Sequence, residues 1–441
     1  MSFKVLALLT VLLAAAAAPA PARAADLRLT SDTRLSPRLH ELTFETTALP
    51  EPTHVRILLP KGYDSRPGRR WPVLYLLHGA VDSYESWTTK GDAEAITAEL
   101  GGIVVMPDSG PSGGYVDWYD DVRPPNPKWE TYHIKQLLPW IDGHYRAAGT
   151  RAQRAVAGLS MGGFGAMSYA ARHPDLFASA TSLSGAVDTN YAPLGAVTEF
   201  NNGDPGSVHG PRATEEVRWR GSNPWDLALN LRPLATALRT GNGSPGGPAP
   251  GDFGDPVESG VHEASVSLHK RLDELDISHV WDDYGPGGHN WYYWQRGLRQ
   301  LVPSLNVLWR DPPAPPPTVG YRSIDPAYTV FGWRVQIDRP ALEFSELTDA
   351  RRPGFVLSGS GQARVRTPAR YRPKRLATVT IDGIARKLRV GLDCRLTVPV
   401  DLGPGNPQQQ YRLGSTTAVR SARVAIARAG RCGRVARRQG P

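Results

Sequence analysis

The chain has 441 residues, of which 40% are apolar and 21% are charged, and its formal net charge is +9. This composition excludes an intrinsically disordered protein, and the length allows a full-sized catalytic domain plus a smaller module. From Thr318 onward there are 23 Lys and Arg against 8 Asp and Glu, a net +15 that leaves −6 on the preceding residues. The C-terminal part is therefore a basic module joined to a mildly acidic one.

The first residues have the pattern of an export signal. Lys4 precedes an apolar run from Val5 to Ala18, and an A-x-A cleavage motif ends at Ala24. Residues 1–24 are predicted to be a signal peptide that is cut after Ala24, which implies a secreted or cell-envelope protein. The apolar run is too short to span a bilayer as a helix. The alternative is an uncleaved membrane anchor.

Short apolar runs alternate with helix-like segments between residues 41 and 308. Predicted strands are 41–59 (a pair joined by a Pro-containing turn), 70–77, 102–107, 155–157, 177–183, 235–239 and 279–284. Predicted helices are 83–100, 129–145, 261–275, 291–308 and one that begins just after Ser160, whereas 184–224 is predicted to be irregular. This alternation predicts an α/β fold with a mainly parallel sheet, in which functional loops gather at the C-terminal ends of the strands.

The segment from Gly158 to Gly162, Gly-Leu-Ser-Met-Gly, matches the G-x-S-x-G pattern between a strand and a helix. In that setting the pattern predicts a nucleophile elbow, which exposes the hydroxyl of Ser160 at a sharp turn that glycines make possible. The following helix would direct free N–H groups and the positive end of its dipole toward a developing oxyanion. The alternative is an ordinary serine in a glycine-rich turn.

A base and an acid are predicted on two later loops. His289 follows the last predicted strand, and the order serine, acid, histidine is that of α/β-hydrolases. His289 would take the proton from Ser160 and return it to the leaving alcohol. The carboxylates that precede the 261–275 helix or lie in its first turn are Asp252, Asp255, Glu258 and Glu263. Glu258, at the loop-to-helix junction, is the preferred acid.

The other carboxylates are less suitable as the acid. Glu263 falls one turn into the helix, where a solvated charge is expected, and Asp282 and Asp283 stand too close to His289 in the chain. Asp252 and Asp255 remain alternatives to Glu258. The oxyanion hole is predicted to combine the N–H of Met161 with that of Ala80. The alternative for the 78–79 segment is that it only ends a strand.

Five motifs together resemble the esterase family of α/β-hydrolases, which includes the esterase D type enzymes and the secreted mycolyltransferases of mycobacteria. They are LLHGA (76–80), AGLSMGGFGAM (157–167), TGNGSP (240–245), the Val257-Glu258 pair and GGHNWYYW (287–294), and they span roughly residues 45–305. The resemblance implies an α/β-hydrolase fold, Ser160 as nucleophile, Glu258 as acid and His289 as base. It also implies backbone donors at Ala80 and Met161. His78 and Trp291 are predicted to contact the substrate, and no cofactor or metal is expected.

One departure from the mycolyltransferases concerns substrate. Those enzymes carry an Asp-Gly-Leu-Arg type segment in the oxyanion loop that helps to hold trehalose, whereas this chain has His78-Gly79-Ala80-Val81. Hydrolysis of carboxylic esters through an acyl-enzyme is therefore the preferred function. The alternatives are acyl transfer to a sugar or lipid alcohol and, from another class, an inactive envelope-binding protein.

The C-terminal part is predicted to be a small β-sandwich. Residues 311–318 form a Pro-rich linker, so the predicted units are 25–310 for catalysis and 319–441 for the β module. Alternating runs at 355–357, 363–365, 377–381, 388–392, 395–400 and 418–427 predict its strands. The linker suggests that the catalytic sheet closes its core without this module.

Two chemical features of the C-terminal module complete the sequence-based expectations. Cys394 and Cys432, the only cysteines, are predicted to form a disulfide, since an exported protein favours one. Neither cysteine is placed to be a nucleophile, and no ligand spacing typical of a metal site is found. The excess positive charge would suit anionic wall polymers or a lipid surface. The alternative is a solvated basic surface, and nucleic acid is not an expected partner.

Overall fold

The computed structural model describes residues 26–119, 126–192, 194–195, 206–251 and 253–432. The predicted signal peptide, residues 1–24, lies outside these ranges. Among the helices within them, none combines the length and apolar character needed to cross a membrane.

A nine-stranded sheet forms the centre of the larger, N-terminal unit. Its strands are β1 (Leu27–Arg34), β2 (Leu39–Thr46), β3 (Thr53–Leu58), β4 (Val73–Leu77), β5 (Ile103–Pro107), β6 (Arg154–Leu159), β7 (Ser179–Leu183), β8 (Ala235–Thr240) and β9 (His279–Asp283). The spatial order is β1-β2-β3-β5-β4-β6-β7-β8-β9. The pairs β1-β2, β2-β3 and β3-β5 are antiparallel. The remaining pairs, from β5-β4 to β8-β9, are parallel. This is the mainly parallel α/β architecture that the sequence predicted.

Helices cover both faces of this sheet. They are α1 (Ser86–Thr89), α2 (Ala93–Ile96), α3 (Leu138–His144), α4 (Met161–Arg172), α5 (Arg212–Ser222), α6 (Pro256–Glu274) and α7 (Trp291–Leu308). A π-helical segment, Thr131–Leu137, leads into α3. In β4 the side chains of Val73 and Tyr75 belong to the core on one face, whereas Leu74 belongs to the core on the other. The continuous apolar runs are therefore explained by burial on both sides.

Three local features differ from the sequence-based prediction. The predicted 83–100 helix is broken into shorter pieces, since Gly91 interrupts it and Asp92 adopts a positive φ of 50°. Strand β1 was not predicted, because all of its residues after Leu27 are exposed and its apolar residues end at Leu29. Helix α5 lies in the segment predicted to be irregular. Five of its 11 residues are charged, and only a few side chains, among them Val217 and Trp219, anchor it in the interior.

The C-terminal residues form two antiparallel sheets around one core. The strands are β10 (Val319–Ser323), β11 (Ala327–Val330), β12 (Trp333–Asp338), β13 (Ser345–Arg351), β14 (Gly354–Gly359), β15 (Gln362–Arg366), β16 (Leu376–Ile381), β17 (Ile384–Arg389), β18 (Thr397–Asp401) and β19 (Arg420–Ala427). Their orders are β10-β13-β14-β19-β16-β17 and β11-β12-β15-β18. Trp333 of one sheet meets Phe355 of the other at 5.5 Å between ring centroids, as in a sandwich. The predicted disulfide between Cys394 and Cys432 is present.

The sandwich packs directly against the N-terminal unit. The Tyr321 hydroxyl donates to the backbone carbonyl of Arg172 at 2.7 Å, and the Asn230 side chain exchanges two hydrogen bonds of 2.8 Å with the backbone of Arg322. Ile324 and Phe344 are buried in the main hydrophobic cluster of the nine-stranded sheet. The expectation that the catalytic sheet closes its core without the module is therefore wrong, because part of that core comes from the module itself.

Replacing Ile324 by alanine tests this shared core. Ile324 packs so closely on α5 that a Cβ placed on Gly221 would lie 2.3 Å from its Cδ1. We expect Ile324→Ala to lower the free energy of unfolding by about 2–5 kcal/mol, measured by equilibrium denaturation, because it leaves a cavity. Ile384→Ala, at a side chain that is 64% exposed in the same module, is the control and should change stability by less than about 0.5 kcal/mol. Equal effects of the two substitutions would contradict the shared core.

Two buried histidines near the helices are held neutral. Burial is the main cause that lowers the pKa of His133 to about 4, and its ring nitrogens bond to the Tyr169 hydroxyl and the Asp108 carbonyl at 2.8 Å each. Burial, assisted by the charges of Arg212 and Arg172, lowers the pKa of His209 to about 3. Both rings therefore resist protonation in the folded chain and accept protons readily once it unfolds.

This difference predicts acid sensitivity. Between pH 6.5 and about 3 the unfolded chain binds a proton at His209 that the folded chain does not, so stability present above pH 6.5 is lost as the pH falls. One such histidine contributes a slope of up to about 1.4 kcal/mol per pH unit. We expect His209→Gln to lose less unfolding free energy than the wild type between pH 6.5 and 4.5. The same slope in both proteins, whatever their absolute stabilities, would contradict the buried neutral state.

Candidate active site

The G-x-S-x-G segment forms a strained turn between β6 and α4. Ser160 has φ 52° and ψ −120°, a conformation that few non-glycine residues adopt. A Cβ at Gly158 would lie 2.1 Å from the Gly162 carbonyl oxygen, and one at Gly162 would lie 2.5 Å from the carbonyl oxygens of Leu77 and His78. Both glycines are therefore required by close backbone contact, and the turn presents the Ser160 hydroxyl at the C-terminal edge of the sheet.

His289 lies within hydrogen-bond distance of Ser160 and Glu258. Its Nε2 is 2.8 Å from Ser160 Oγ, and its Nδ1 is 2.7 Å from Glu258 Oε2. A carboxylate only accepts hydrogen bonds, so Nδ1 carries the hydrogen and Nε2 accepts from the serine hydroxyl. The ring meets Trp294 edge-on at 5.0 Å between centroids, which fixes its plane. The structure thus brings together the three residues that the sequence put forward.

The second oxygen of Glu258 has three further donors. Oε1 accepts hydrogen bonds from Ser184 Oγ at 2.8 Å, Thr240 Oγ1 at 3.1 Å and the Gly241 N–H at 2.8 Å. The Glu258 side chain is completely buried, and a buried carboxylate is stable only when its lone pairs are occupied. The four donors together orient the carboxylate toward His289.

Asp255, one of the alternative acids, contacts the histidine differently. It caps α6 through Oδ1, which accepts from the N–H groups of Val257 and Glu258 at 2.9 and 3.2 Å. Its Oδ2 accepts from the backbone N–H of His289 at 2.7 Å. Asp255 therefore joins the backbone of the His289 loop to the helix that carries Glu258, without contacting the imidazole.

Of the remaining carboxylates, the structure describes Glu263, Asp282 and Asp283. Asp252 lies outside the described residues. Glu263 is exposed on α6, as expected for a solvated charge. Asp282 is paired with Arg239 at 2.7 Å, and Asp283 lies 3.0 Å from His262.

Ala80 and Met161, the predicted oxyanion donors, both lie near Ser160. Met161 is the first residue of α4, where helical N–H groups have no acceptor in the helix. The N–H of Val81 is already used in a 2.8 Å bond to the Pro111 carbonyl. Ala80 and Met161 both line the cavity that contains Ser160.

His78 and Trp291, predicted to contact substrate, do not line that cavity. His78 is 1% exposed, and its ring bridges the Gly79 carbonyl at 2.8 Å and the Ser109 N–H at 3.0 Å. Trp291 packs edge-on against Trp87, 5.2 Å away. Their surroundings suit structural support of the loops, and their contact with substrate stays a prediction.

The cavity at Ser160 is small and mainly apolar. Its volume is about 110 Å³, and its apolar walls are formed by Met161, Phe164, Ala186, Leu194, Val208, Val257 and Val261. A larger cavity of about 510 Å³ lies between the catalytic unit and the sandwich and shares Val208 and His209 with the first. Its lining includes Glu130, Arg172 and Asp325, but not Ser160. Chemistry, not size, therefore marks the smaller cavity as the candidate site.

Sequence reasoning missed the groups that hydrogen-bond to Glu258. Ser184 was not singled out, although it directly follows the predicted strand 177–183 and could have been noticed for that position. Its positive φ of 49° turns the chain beside Glu258. Asp255 accepts a hydrogen bond from the His289 backbone. Nothing in the sequence indicated this contact except the position of Asp255 just before α6.

Comparisons with known proteins agree with this architecture. Residues 46–305, more than half of the chain, match the family described as "Putative esterase". Esterase Rv1288 of Mycobacterium tuberculosis is 35% identical over 60% of this chain and 58% of its own length. The chain therefore spans little more than half of that relative. The diacylglycerol acyltransferase/mycolyltransferase Ag85B of Mycolicibacterium smegmatis is 29% identical over 60% of this chain and 85% of its own.

Solved structures support the fold. An S-formylglutathione hydrolase from Agrobacterium tumefaciens superimposes with a TM-score of 0.51 at 18% identity, covering 63% of this chain and 98% of its own. The fluorophosphonate-binding serine hydrolase FphF of Staphylococcus aureus gives 0.50 at 17% identity, covering 60% and 97%. The chain therefore belongs to the esterase family and has the α/β-hydrolase fold.

Proposed function

We propose that the chain is a secreted serine esterase that hydrolyses carboxylic esters through an acyl-enzyme on Ser160. The observation that carries the proposal is the continuous hydrogen-bonded series from Ser160 through His289 to the buried Glu258. It opens on an apolar cavity next to two backbone donors. A nucleophile, a base within reach and a group that orients the base are the parts that acyl transfer requires.

In the first half of the reaction Ser160 Oγ attacks the ester carbonyl carbon while His289 Nε2 takes the hydroxyl proton. The carbonyl oxygen becomes an oxyanion, which the N–H groups of Ala80 and Met161 stabilise. The tetrahedral intermediate then collapses, the bond to the alcohol oxygen breaks, and His289 gives its proton to the departing alcohol. The acyl group remains on Ser160, and the apolar cavity walls hold it.

In the second half water replaces the alcohol. His289 removes a proton from water as its oxygen attacks the acyl carbon, and the same donors stabilise the second oxyanion. Collapse breaks the bond to Ser160 Oγ, which recovers its proton from His289, and the carboxylic acid leaves. Throughout, Glu258 stabilises the imidazolium and keeps the ring in the productive tautomer.

Acyl transfer to a sugar or lipid alcohol is the second candidate. It uses the same acyl-enzyme and differs only in the acceptor, and the relative Ag85B, named an acyltransferase, favours it. None of the four residues His78-Gly79-Ala80-Val81 carries a carboxylate or a guanidinium, which favours water as the acceptor. Product analysis with and without added sugar alcohols separates hydrolysis from transfer.

Three further assignments rest on the sequence. Export depends on the signal pattern of residues 1–24, and the unit boundaries proposed are 25–310, 311–318 and 319–441. The basic C-terminal module would hold the enzyme on anionic wall polymers or lipids, since its net charge is +15. An inactive envelope-binding protein is the remaining alternative, and the intact serine and histidine pair argues against it.

Replacing the nucleophile tests the proposal. We expect Ser160→Ala to abolish both labelling by a fluorophosphonate and hydrolysis of p-nitrophenyl esters, with unchanged circular dichroism, because the turn depends on the glycines. Ser304→Ala, at an exposed serine of α7, is the matched control and should keep full activity. Labelling or turnover that survives in Ser160→Ala would overturn the assignment, and absence of both in the wild type would favour the inactive binding protein.

A pair of substitutions distinguishes the proposed acid, Glu258, from Asp255, whose side chain bonds to the His289 backbone and the start of α6. Glu258→Gln should lower kcat by about 10²–10⁴, because the charge that stabilises the imidazolium is lost. Asp255→Asn keeps acceptor oxygen for the cap and does not touch the ring, so its effect on kcat should be below about tenfold. The reverse order of the two effects in steady-state kinetics would make Asp255 the acid.

A further inference from the structure

Two histidines and an aspartate meet between α6 and β9. None of the three belongs to the proposed catalytic groups. His269 and Asp273 are on adjacent turns of α6, and His279 begins β9. One nitrogen or oxygen from each lies within 4.8 Å of the others. Their spacing along the chain is not that of a known metal motif, because the residues come from a helix and a strand that only the fold brings together.

The two imidazole rings point one nitrogen each at the same spot. His279 Nδ1 lies 2.8 Å from the carbonyl oxygen of Ile277, so it carries the hydrogen, and Nε2 presents a lone pair. That Nε2 is 2.7 Å from His269 Nδ1. The opposite nitrogen of His269, Nε2, faces the Asp273 carboxylate at 3.5 Å. In each ring, one nitrogen therefore faces an oxygen acceptor on the outer side, away from the other histidine. The second nitrogen, on the inner side, faces the other histidine.

This is the arrangement of metal-binding histidines, whose outer N–H is typically held by a carbonyl or a carboxylate. The ring of His269 is further fixed by Trp281, which stacks on it at 4.6 Å between centroids and 2° between planes. His269 has 25% of its side chain exposed, so an ion can enter and keep water ligands. Imidazole donors suit Zn²⁺ and its neighbours among divalent transition metals.

We propose that His269 Nδ1 and His279 Nε2 bind one divalent transition-metal ion of the Zn²⁺ type, with Asp273 orienting His269 from its outer side. The ion takes the place of the proton that the two nitrogens otherwise share. Bonds of about 2.0–2.1 Å in tetrahedral geometry need the nitrogens to separate from 2.7 Å to about 3.3 Å, which a small ring rotation supplies.

The bound ion would join α6 to the edge strand of the nine-stranded sheet. Helix α6 carries Glu258 at its other end, and β9 leads into the loop of His289. The site lies near the C-terminal end of α6 and takes no part in the ester chemistry, so the proposal stands independently of the proposed function. Because the ion binds the folded chain, it should stabilise that chain against unfolding.

Calorimetric titration of the full-length protein, freed of any affinity tag, with ZnCl₂ tests the site. We expect one ion per chain for the wild type. His269→Ala and His279→Ala should abolish saturable binding, and Asp273→Ala should weaken it by about 10–100-fold. His262→Ala is the matched control, since His262 is also on α6 but pairs with Asp283 at 3.0 Å. Saturating ZnCl₂ should raise the Tm of the wild type and of this control, and should leave the Tm of His269→Ala and His279→Ala unchanged.

Several results would overturn the proposal. These are absence of saturable Zn²⁺ binding to the wild type, unchanged binding in both His269→Ala and His279→Ala, or an equal loss in His262→Ala. Circular dichroism of each variant shows whether it has folded. The milder His269→Gln and His279→Gln replace any alanine variant that has not, and they should lose the ion in the same way.

Discussion

The buried carboxylate of Glu258 is the constraint on which the candidate site depends. A fully buried carboxylate needs hydrogen bonds to be tolerated, and here Ser184, Thr240, Gly241 and His289 all supply them. These donors come from the ends of three consecutive parallel strands, β7, β8 and β9, or from the loops that follow them. Satisfying one charge therefore fixes the relative position of three loops, and the histidine is aimed at Ser160 as a consequence.

Close backbone packing sets the other half of the site. Glycines at 158, 162 and 163 let α4 approach β4, β6 and the turn after β7 more closely than any side chain would allow. This approach places the start of α4, with its free N–H groups, beside the Ser160 hydroxyl. Residue size along this turn thus determines both where the Ser160 hydroxyl lies and which backbone N–H groups lie beside it.

The C-terminal sandwich stabilises the far end of the same helix. Arg172, the last residue of α4, lies 3.3 Å from Asp325 of the sandwich and 3.0 Å from Glu130. Burial would raise the pKa of the Glu130 carboxyl, but Arg172 and His173 hold it below its usual range. Helix α4 is therefore fixed by the elbow at its start and by an ion-pair network at its end, and this network connects the two units despite the Pro-rich linker.

The sequence by itself determined the mainly parallel sheet, most of its strands, the sandwich, and Ser160, His289 and Glu258 as candidates. Apolar runs and glycine spacing can be read along the chain because local burial and sterics produce them. The order of Ser160, Glu258 and His289 can also be read along the chain. Only the tertiary structure showed that Glu258 bonds to the His289 ring whereas Asp255 bonds to the His289 backbone. It also showed that Ser184 bonds to Glu258, that His269 meets His279, and that Ile324 packs into the main hydrophobic cluster. Each of these depends on contacts between residues distant in the chain, whose distances follow from how the strands order and not from any periodicity along the sequence.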